Sequence, residues 1–397
     1  MRSWFWRSGC RILLGLLPFG MAAANGCGQS KWPLWNAYAA HFIDSSGRVV
    51  ERQTRDVQTG DRTVSEGLSY ALFFALVSND RASFDRILSW TQNNLAYGDV
   101  GAHLPGWLWG RAPDGQWRML DGTSAADSDC WIAYDLLEAG RLWKDDKYTQ
   151  LGRRMMALIA PQEVANLPGF GLMLMPGPSV NFIHDKVYTL NPSYVPAFLF
   201  QRFAAVEPAG PWAAVAGNIP KLLSQSARMG YAMDWVNYTQ EHGFWPAHGA
   251  APPVAGTTPP AALGSYDAIR VYMWAGMVNG KGGLRGKLLA GTSGMAAYLA
   301  NHGAPPEKVS DQGVPLAQDG PVGFSASMLP YLQALPQAGK ALTQQQNRVT
   351  GELNPGTGLY GNDPTYYDQN LALFGVGFAE KRFGFGPGGE LIVGWTH

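Results

Sequence analysis

The strongest helix signal in the chain is SAADSDCWIAYDLLEAGRLW, residues 124–143. Two acidic residues, Asp127 and Asp129, stand where this stretch begins, and apolar residues then recur three and four positions apart. Cys130 lies among them and is expected to be a small core residue. The stretch therefore predicts a helix over 126–143 that begins with acidic side chains and continues into the protein core.

Eleven other segments repeat this helical spacing, so we expect about a dozen helices joined by Gly- and Pro-rich loops. They are Trp32–Asp44, Gly67–Ser78, Arg81–Leu95, Tyr148–Ile159, Tyr194–Ala205, Trp212–Met229, Tyr266–Val278, Gly283–Asn301, Ser325–Leu335, Gln337–Val349 and Thr365–Arg382. Asp80 is the expected N-cap of the helix at Arg81. Strand signals are few, and Leu172–Met175 is expected to pair with Tyr188–Leu190. The series fits an all-α toroid or an irregular bundle, with Pro246–Gly264 as a surface loop.

Composition narrows the class of function. The chain has 397 residues, of which 46% are hydrophobic, so it can bury a sizeable core. Charged residues are only 15% of the chain, and this low fraction argues against the basic surface that nucleic-acid binding needs. The seven His form no ligand pair on one helix face, so neither a metal nor another cofactor is expected. Aromatic residues reach 12%, and their flat faces can stack on sugars.

The N-terminus is typical of a secretory signal peptide. Arg2, Arg7 and Arg11 precede the short apolar run Ile12–Ala24, which ends in small residues. We expect residues 1–24 to be removed, leaving residues 25–397 as one domain that is periplasmic or secreted. The run is too short to span a bilayer, and no membrane span is expected elsewhere. Lipidation at Cys27 is the alternative for this region.

Three acidic positions are candidates for chemistry. Glu66 stands beside small and apolar residues in TVSEGLSY, residues 63–70, where loss of water would raise its pKa and suit a general acid. Asp267 is three residues before Arg270 in SYDAIRVYMW, residues 265–274, so the guanidinium can hold it ionised as a general base. Asp127 is the third. The alternatives are an ordinary position at a helix start for Glu66 and Asp127, and a structural ion pair for Asp267. Together the acids favour acid–base hydrolysis of glycosides.

Several aromatic residues are candidates for sugar binding. Trp107 and Trp109 belong to LPGWLWG, residues 104–110, which we expect to be a loop where a large ring is less often part of the core. Tyr366 and Tyr367 follow an Asp-Pro pair at a junction between a loop and a helix. Ordinary packing is the alternative for most of the tryptophans.

Taken in order, the motifs resemble glycoside hydrolase family eight, and within it the periplasmic endo-β-1,4-glucanases encoded with bacterial cellulose synthase. The matching stretches are Thr63–Tyr70, Ser89–Leu95, Leu104–Gly110, Ser124–Trp143, Leu190–Pro196, Ser265–Trp274 and Gly320–Tyr331. The resemblance extends from about residue 32 to residue 395, nearly the whole of the expected mature chain.

The resemblance implies a single catalytic (α/α)6 barrel, in which six inner helices are ringed by six outer ones. It implies hydrolysis with inversion, with Glu66 as proton donor, Asp267 as base and Asp127 holding the distorted sugar. Residues implied to line the cleft are Trp107, Trp109, Tyr194, Arg270, Tyr366 and Tyr367. The implied substrate is a β-1,4-glucan of the cellulose type, and a cellulose synthase complex is a further expected partner, in support of cellulose synthesis and export.

Two departures from the family pattern affect the expected site. Ala126 and Ser128 flank Asp127 where the family usually has Ser or Thr before it and Ala or Gly after it, and we expect this to loosen local hydrogen bonding. The Pro-rich loop before Ser265 is expected to alter one wall of the cleft. Two rival functions remain: hydrolysis of chitosan, xylan or mixed-linkage glucan on the same fold, and glycan binding without catalysis.

Overall fold

The structure is a computed structural model that describes residues 32–52, 61–249 and 262–396. The expected signal peptide and Cys27 lie outside the described residues, as does most of the expected loop 246–264. The two ends of that loop lie on short strands, at residues 243–246 and 263–264. No helix within the described ranges has the length and apolar character needed to cross a membrane.

Helices dominate the described residues. They are α1 (Pro33–Phe42), α2 (Ser65–Val77), α3 (Arg81–Leu95), α4 (Ala126–Trp143), α5 (Asp146–Glu163), α6 (Ala197–Val206), α7 (Trp212–Ser226), α8 (Ala268–Met277), α9 (Leu284–Gly291), α10 (Ser293–Leu299), α11 (Val322–Gln333), α12 (Gly339–Gly351) and α13 (Tyr366–Ala379). Each segment with helical spacing in the sequence therefore contains a helix.

Inner and outer helices alternate along the chain. Helices α2, α4, α6, α8, α11 and α13 are the inner ones, and α2, α8 and α11 are buried on nearly every side. Helices that are apolar all round belong in the centre of a fold. Most inner helices pack against the outer helix that follows them, as in the pairs α2–α3, α4–α5, α6–α7 and α11–α12. Helix α13 contacts α2 and closes the ring, which confirms the predicted (α/α)6 barrel.

The outer helices show the amphipathic pattern that the sequence predicts. In α3 the residues Phe84, Ile87, Leu88 and Leu95 are buried, at spacings that place them on one face. The carboxylate of Asp80 accepts a hydrogen bond of 3.0 Å from the backbone N–H of Ser83. That bond satisfies one of the free N–H groups at the helix start, so the predicted N-cap is confirmed.

Short strands fill the connections between helices. They are β1 (Thr63–Val64), β2 (Gly106–Arg111), β3 (Trp117–Ser124), β4 (Val164–Leu167), β5 (Gly171–Leu174), β6 (Ile183–His184), β7 (Val187–Leu190), β8 (Val236–Thr239), β9 (Gly243–Pro246), β10 (Leu263–Gly264), β11 (Val309–Ser310), β12 (Leu353–Asn354), β13 (Leu359–Tyr360), β14 (Phe383–Phe385) and β15 (Leu391–Val393). They form antiparallel sheets in the orders β1-β2-β3 and β6-β7-β8-β9, and the pairs β4-β5, β10-β11, β12-β13 and β14-β15.

The predicted pairing of Leu172–Met175 with Tyr188–Leu190 is wrong. Strand β5 pairs with β4, and β7 pairs with β6 and β8. The β4–β5 hairpin closes over a short turn in which Gly169 adopts a φ of 75°, a conformation that glycine reaches without steric cost. A tight local hairpin loses less chain entropy than the longer connection to β7, so the nearer partner prevails.

Two helix boundaries also differ from the predictions. The segment predicted as one helix over 283–301 is divided into α9 and α10 at Thr292, whose hydroxyl bonds back to the carbonyl of Leu288. Such bonding by Ser and Thr side chains often bends helices. Helix α6 begins at Ala197 rather than Tyr194, because Pro196 disfavours helical backbone at the residue before it.

An aromatic cluster fills the centre of the barrel. The ring of Trp131 on α4 lies 5.2 Å from Phe374 on α13 and 5.5 Å from Trp274 on α8, measured between ring centroids. Phe198 on α6 stacks on Phe385 at 3.8 Å. The barrel is therefore solid at its middle, and a ligand has access only to its ends.

Candidate active site

The candidate acids gather at one end of the barrel. Glu66 is the second residue of α2, Asp127 is the second residue of α4, and Asp267 immediately precedes α8. All three inner helices begin at this end, because the ring places their N-termini side by side. Three carboxyl groups that are far apart in sequence are thus brought to one place.

One buried guanidinium holds the three carboxyl groups together. Arg270 on α8 is 2% exposed; its Nη1 donates to Glu66 Oε2 and lies 3.6 Å from Asp127 Oδ2. Its Nη2 donates to Asp267 Oδ1 at 2.5 Å. Glu66 and Asp267 therefore bind different nitrogens of the same rigid fork, which keeps the two carboxyls apart at a fixed spacing.

Arg270 is itself fixed by the surrounding helices. Nη1 also donates to the hydroxyl of Tyr70 at 2.8 Å, and Nη2 donates to Ser193 Oγ at 3.0 Å. The guanidinium carbon lies 5.8 Å from the centre of the Tyr194 ring, within range of a cation–π contact. The ion pair between Asp267 and Arg270, the structural alternative for Asp267, does form, but it is one part of a larger network.

Burial controls the charge of Glu66. Desolvation raises the pKa of its carboxyl to about 7, an effect that Arg270 opposes and that the negative charges of Asp127 and Asp267 reinforce. Its side chain remains 22% exposed, so it can still reach a ligand. A carboxyl of this kind is protonated in part of the molecules at neutral pH and can donate a proton.

Asp127 is the most deeply buried of the three acids. Its Oδ1 accepts hydrogen bonds from the backbone N–H of Ser128 at 2.7 Å and from the Ser128 hydroxyl at 3.3 Å. Burial raises the pKa of Asp127, and Arg270 and the Ser128 N–H oppose the rise. Ser65 Oγ donates to Ser128 Oγ at 2.9 Å and ties α2 to α4. The expectation that Ser128 loosens local hydrogen bonding is therefore wrong, since this hydroxyl adds bonds.

Neither Glu66 nor Asp127 acts as a helix cap. The N-cap positions of α2 and α4 are Val64 and Ala125, and neither helix start has a side-chain cap. The carboxyl of Glu66 is bound by Arg270 instead of by backbone at its own helix start. Capping by either side chain is therefore excluded, although Asp127 does accept from the backbone N–H of Ser128 in the first turn of α4.

Three of the predicted tyrosines lie beside the carboxyl groups. Tyr366 packs so closely on the first turn of α2 that a Cβ at Gly67 would lie 2.2 Å from its hydroxyl oxygen. The hydroxyl of Tyr367 donates to the backbone carbonyl of Tyr266, directly before Asp267. Tyr194 lies next to Arg270, as described above. All three rings lie against the acid cluster; Tyr194 and Tyr367 are half-buried and could contact a sugar there, whereas Tyr366 is only 4% exposed.

The two predicted tryptophans have a different setting. Trp107 and Trp109 lie on strand β2, and the expectation that they belong to a loop is wrong. Trp109 stacks on Trp117 at 4.9 Å, and the guanidinium carbon of Arg48 lies 4.4 Å from its ring centre. Trp109 thus packs against other residues of the protein on the β2–β3 hairpin, and both tryptophans are half-buried. The structure does not place either ring in contact with the acids.

A cavity adjoins the acid cluster. It has a volume of about 410 Å³ and is lined by Tyr266, Tyr367 and Thr365, among others. A larger cavity of about 570 Å³ lies around Asn279 and Phe385, past the end of α8, and no acidic residue lines it. The candidate acids do not themselves line the smaller cavity; it lies next to them through Tyr266, which precedes Asp267, and through Tyr366, which packs on the first turn of α2.

Sequence reasoning missed several residues of this site. Tyr70 and Ser193 bind Arg270, and Asp234 binds the backbone around Asp267. Behind Asp127 lie the buried acids Asp129 and Glu163, and burial with their mutual repulsion raises the pKa of Asp129 well above its usual range. Asp129, Tyr70 and Ser193 belong to motifs that stand out in the sequence, whereas Asp234 and Glu163 lie outside those motifs.

The described residues contain no group of three His, Cys, Asp or Glu side chains arranged to hold a metal ion. The chemistry that the described side chains themselves offer is proton transfer between carboxyl groups and a bound molecule.

Comparisons with known proteins agree with this geometry. The family described as Glycosyl hydrolases family 8 matches residues 7–381. An endoglucanase of Xanthomonas axonopodis pv. citri (strain 306) is 44% identical over 382 residues, covering 96% of this chain and 93% of the relative. An endoglucanase of Escherichia coli (strain K12) is 40% identical over 390 residues, covering 98% and 97%. The crystal structure of endo-1,4-D-glucanase from Vibrio fischeri ES114 is 37% identical, with a TM-score of 0.82 over 92% of this chain and 100% of that chain.

Proposed function

This chain belongs to the glycosyl hydrolases of family 8, and on that premise we propose that it is an endo-β-1,4-glucanase acting on cellulose-type glucan. The family hydrolyses glycosidic bonds with inversion of the anomeric centre. The observation that carries the proposal is the pairing of Glu66 and Asp267 on opposite nitrogens of the single guanidinium of Arg270. Relatives that are 44% and 40% identical bear the name endoglucanase, which supports the substrate class.

Glu66 supplies the proton in this mechanism. Because burial raises the pKa of its carboxyl to about 7, the protonated form is available where the enzyme works. It protonates the oxygen between two glucose units as the bond to the anomeric carbon breaks. Arg270 then stabilises the carboxylate that forms, since it already holds Oε2.

Asp267 activates the attacking water. Its side chain is 29% exposed, more than that of the other two acids, so water can reach it. As the water attacks the anomeric carbon from the face opposite the leaving group, Asp267 takes one of its protons, and no covalent intermediate forms. Inverting enzymes keep the two carboxyls about 6.5–9.5 Å apart to leave room for this water. We expect the Glu66 and Asp267 carboxyls to reach this separation when a sugar and the attacking water lie between them.

Asp127 acts on the sugar between them. It is 4% exposed and its Oδ2 lies 3.6 Å from Arg270. A negative charge held in a water-poor site stabilises positive charge that develops on the sugar ring in the transition state. The tyrosines around the 410 Å³ cavity supply flat faces on which glucose rings can stack.

The biological setting is part of the proposal. The basic and apolar N-terminal sequence supports export by a signal peptide, with a periplasmic or secreted mature protein. The motif resemblance supports a role in bacterial cellulose synthesis and export, with the cellulose synthase complex as a partner. Mass spectrometry of the secreted protein tests the cleavage after residue 24 and distinguishes it from lipidation at Cys27.

One panel of substrates tests the activity. We expect reducing ends to be released from carboxymethylcellulose, and much more slowly from chitosan and xylan. Proton NMR of the first products should show the α-anomer, as inversion requires. Preference for chitosan, xylan or mixed-linkage glucan would reassign the substrate. Binding of glucan without release of reducing ends would show that the protein is a glycan-binding accessory and not an enzyme.

A further inference from the structure

Asp267 occupies the N-cap position of α8, yet its side chain does not cap the helix. An Asp at this position normally accepts hydrogen bonds from the first backbone N–H groups of the helix. Here its carboxylate turns away to Arg270 Nη2. The N–H groups of Ile269 and Arg270 donate to the backbone carbonyls of Ser265 and Asp267, so it is the N–H of Ala268, the first residue of α8, that needs an acceptor from elsewhere.

Asp234 provides that acceptor from a different part of the chain. It lies 34 residues before Ala268, ahead of strand β8, and its Oδ1 accepts from the backbone N–H of Ala268 at 2.8 Å. The same oxygen accepts from the N–H of Ser265 at 2.7 Å. One carboxylate oxygen thus holds the backbone on both sides of Asp267.

Other bonds hold the same short segment. Ser265 Oγ donates to the backbone carbonyl of Glu307 at 2.9 Å, and the Tyr266 hydroxyl donates to Glu307 Oε1 at 3.1 Å. The Tyr367 hydroxyl donates to the carbonyl of Tyr266. Among these contacts, the pair made by Asp234 is the one that brackets Asp267 itself and reaches the helix start.

We propose that Asp234 is a positioning residue that caps α8 in place of Asp267 and so leaves the Asp267 carboxylate free to activate water. The inference rests on the proposed function of Asp267 as the base. The Asp267 carboxylate cannot bind the start of α8 and face the cleft at the same time. With Asp234 accepting from the N–H of Ala268, the start of the helix is capped and the Asp267 carboxylate can face the cleft.

The charge of Asp234 contributes to this role. Burial and the nearby Asp267 raise the pKa of its carboxyl to about 7, while the two backbone N–H groups and Arg270 oppose the rise. The titratable groups facing it are Asp267, Arg270 and the hydroxyl of Tyr272. The ionised form accepts hydrogen bonds more strongly than the neutral form. The hydrogen bonds that Asp234 accepts from the N–H groups of Ser265 and Ala268 should therefore strengthen as the pH rises through about 7.

Two variants and one control test the proposal. Asp234→Ala removes the acceptor, and we expect kcat on carboxymethylcellulose to fall about 100-fold with KM changed little, since a misplaced catalytic group has an effect of that size. Asp234→Asn keeps an acceptor oxygen without the charge. The control Asp80→Ala removes the cap of α3, far from the acids, and should lower the melting temperature without lowering kcat.

The pH dependence separates positioning from a merely structural role. The ratio of wild-type to Asp234→Asn activity should approach one below pH 6 and rise several-fold above pH 8, because the amide mimics the protonated acid. Glu66 titrates in both proteins and cancels from the ratio. A flat ratio, an Asp234→Ala variant with wild-type kcat, or an equal loss of kcat in Asp80→Ala would overturn the proposal. If the wild-type protein were itself inactive on carboxymethylcellulose, the proposed function would fail as well. That outcome differs from the other three, in which the wild type is active and only the comparison with a variant fails.

Discussion

Replacing Glu66 with glutamine should abolish activity and also make the protein more stable at alkaline pH. Glutamine has the shape of the protonated carboxyl and keeps an oxygen for Arg270, but it cannot donate a proton to the glycosidic oxygen. General acids of this kind contribute about 10²–10⁴-fold in rate, so a loss of at least the lower value is expected. Glucan binding should survive because the contacts of the neutral side chain remain.

The gain in stability follows from the pKa of Glu66. In the folded protein it is raised from the ordinary value of 4.5 to about 7. Between these values the folded protein keeps a proton that the unfolded chain has lost, so the free energy of unfolding falls as the pH rises. The shift corresponds to about 3 kcal/mol at 1.36 kcal/mol per pKa unit, and the side chain is only 22% exposed, so solvent screens little of it. Glu66→Gln is free of this penalty.

Urea unfolding at a series of pH values measures the effect. The two proteins should have similar unfolding free energies near pH 4.5, and the variant should become more stable by about 3 kcal/mol at pH 8. Glu241→Gln, at an exposed glutamate, is the matched control and should show no such pH-dependent gain. If Glu66→Gln were less stable than the wild type at pH 8, or equally stable at every pH, burial would not be the cause of the raised pKa. Activity within threefold of the wild type would reject Glu66 as the acid.

Three further substitutions test the rest of the network. Asp267→Asn should be inactive, azide should not convert it into a retaining enzyme, and mass spectrometry should find no glycosyl adduct, since inversion has no covalent intermediate. An adduct on Asp267 would contradict the mechanism. Asp127→Asn should lower kcat strongly while the pH profile of kcat/KM keeps both limbs; loss of one limb would identify Asp127 as the base. Arg270→Lys keeps the positive charge but lacks the two guanidinium nitrogens that bind Glu66 and Asp267 separately, so kcat should fall by ~10²-fold or more. Near-normal activity would show that the guanidinium does not position these two carboxyls.

The helices were predictable from apolar spacing, and their arrangement as inner and outer rings was implied by the family resemblance; the sequence pattern agrees with the ring in which each helix lies. Residues of α3 follow the amphipathic period, and α2 is apolar all round. The strands were not predictable in the same way. Leu172–Met175 carries a correct strand signal, but its partner depends on a turn at Gly169 and on which strand lies nearer in space. Two- to four-residue strands also have too few side chains to show an alternating pattern.

The acids were predictable individually, but their arrangement was not. Each of Glu66, Asp127 and Asp267 stands in a local motif, so a carboxyl in an apolar setting is visible in the sequence. Their common partner is not, because Arg270 lies 204 residues from Glu66 and meets it only when the ring of helices closes. Asp234 shows the same limit, since nothing near it in the sequence indicates that it caps a helix 34 residues later.

Local and tertiary effects act in opposite directions on the charge of Asp127. Its place at a helix start favours the ionised form, because backbone N–H groups point toward it. The structure adds an almost complete loss of solvent, which raises the pKa of its carboxyl in spite of the Ser128 N–H and Arg270. One guanidinium faces three carboxyl groups, so not all of them can be compensated when ionised. A proton on Glu66 relieves that excess of negative charge, and the same proton is the one that the reaction delivers to the glycosidic oxygen. The electrostatics that disfavour three charges in one buried site therefore also prepare the general acid.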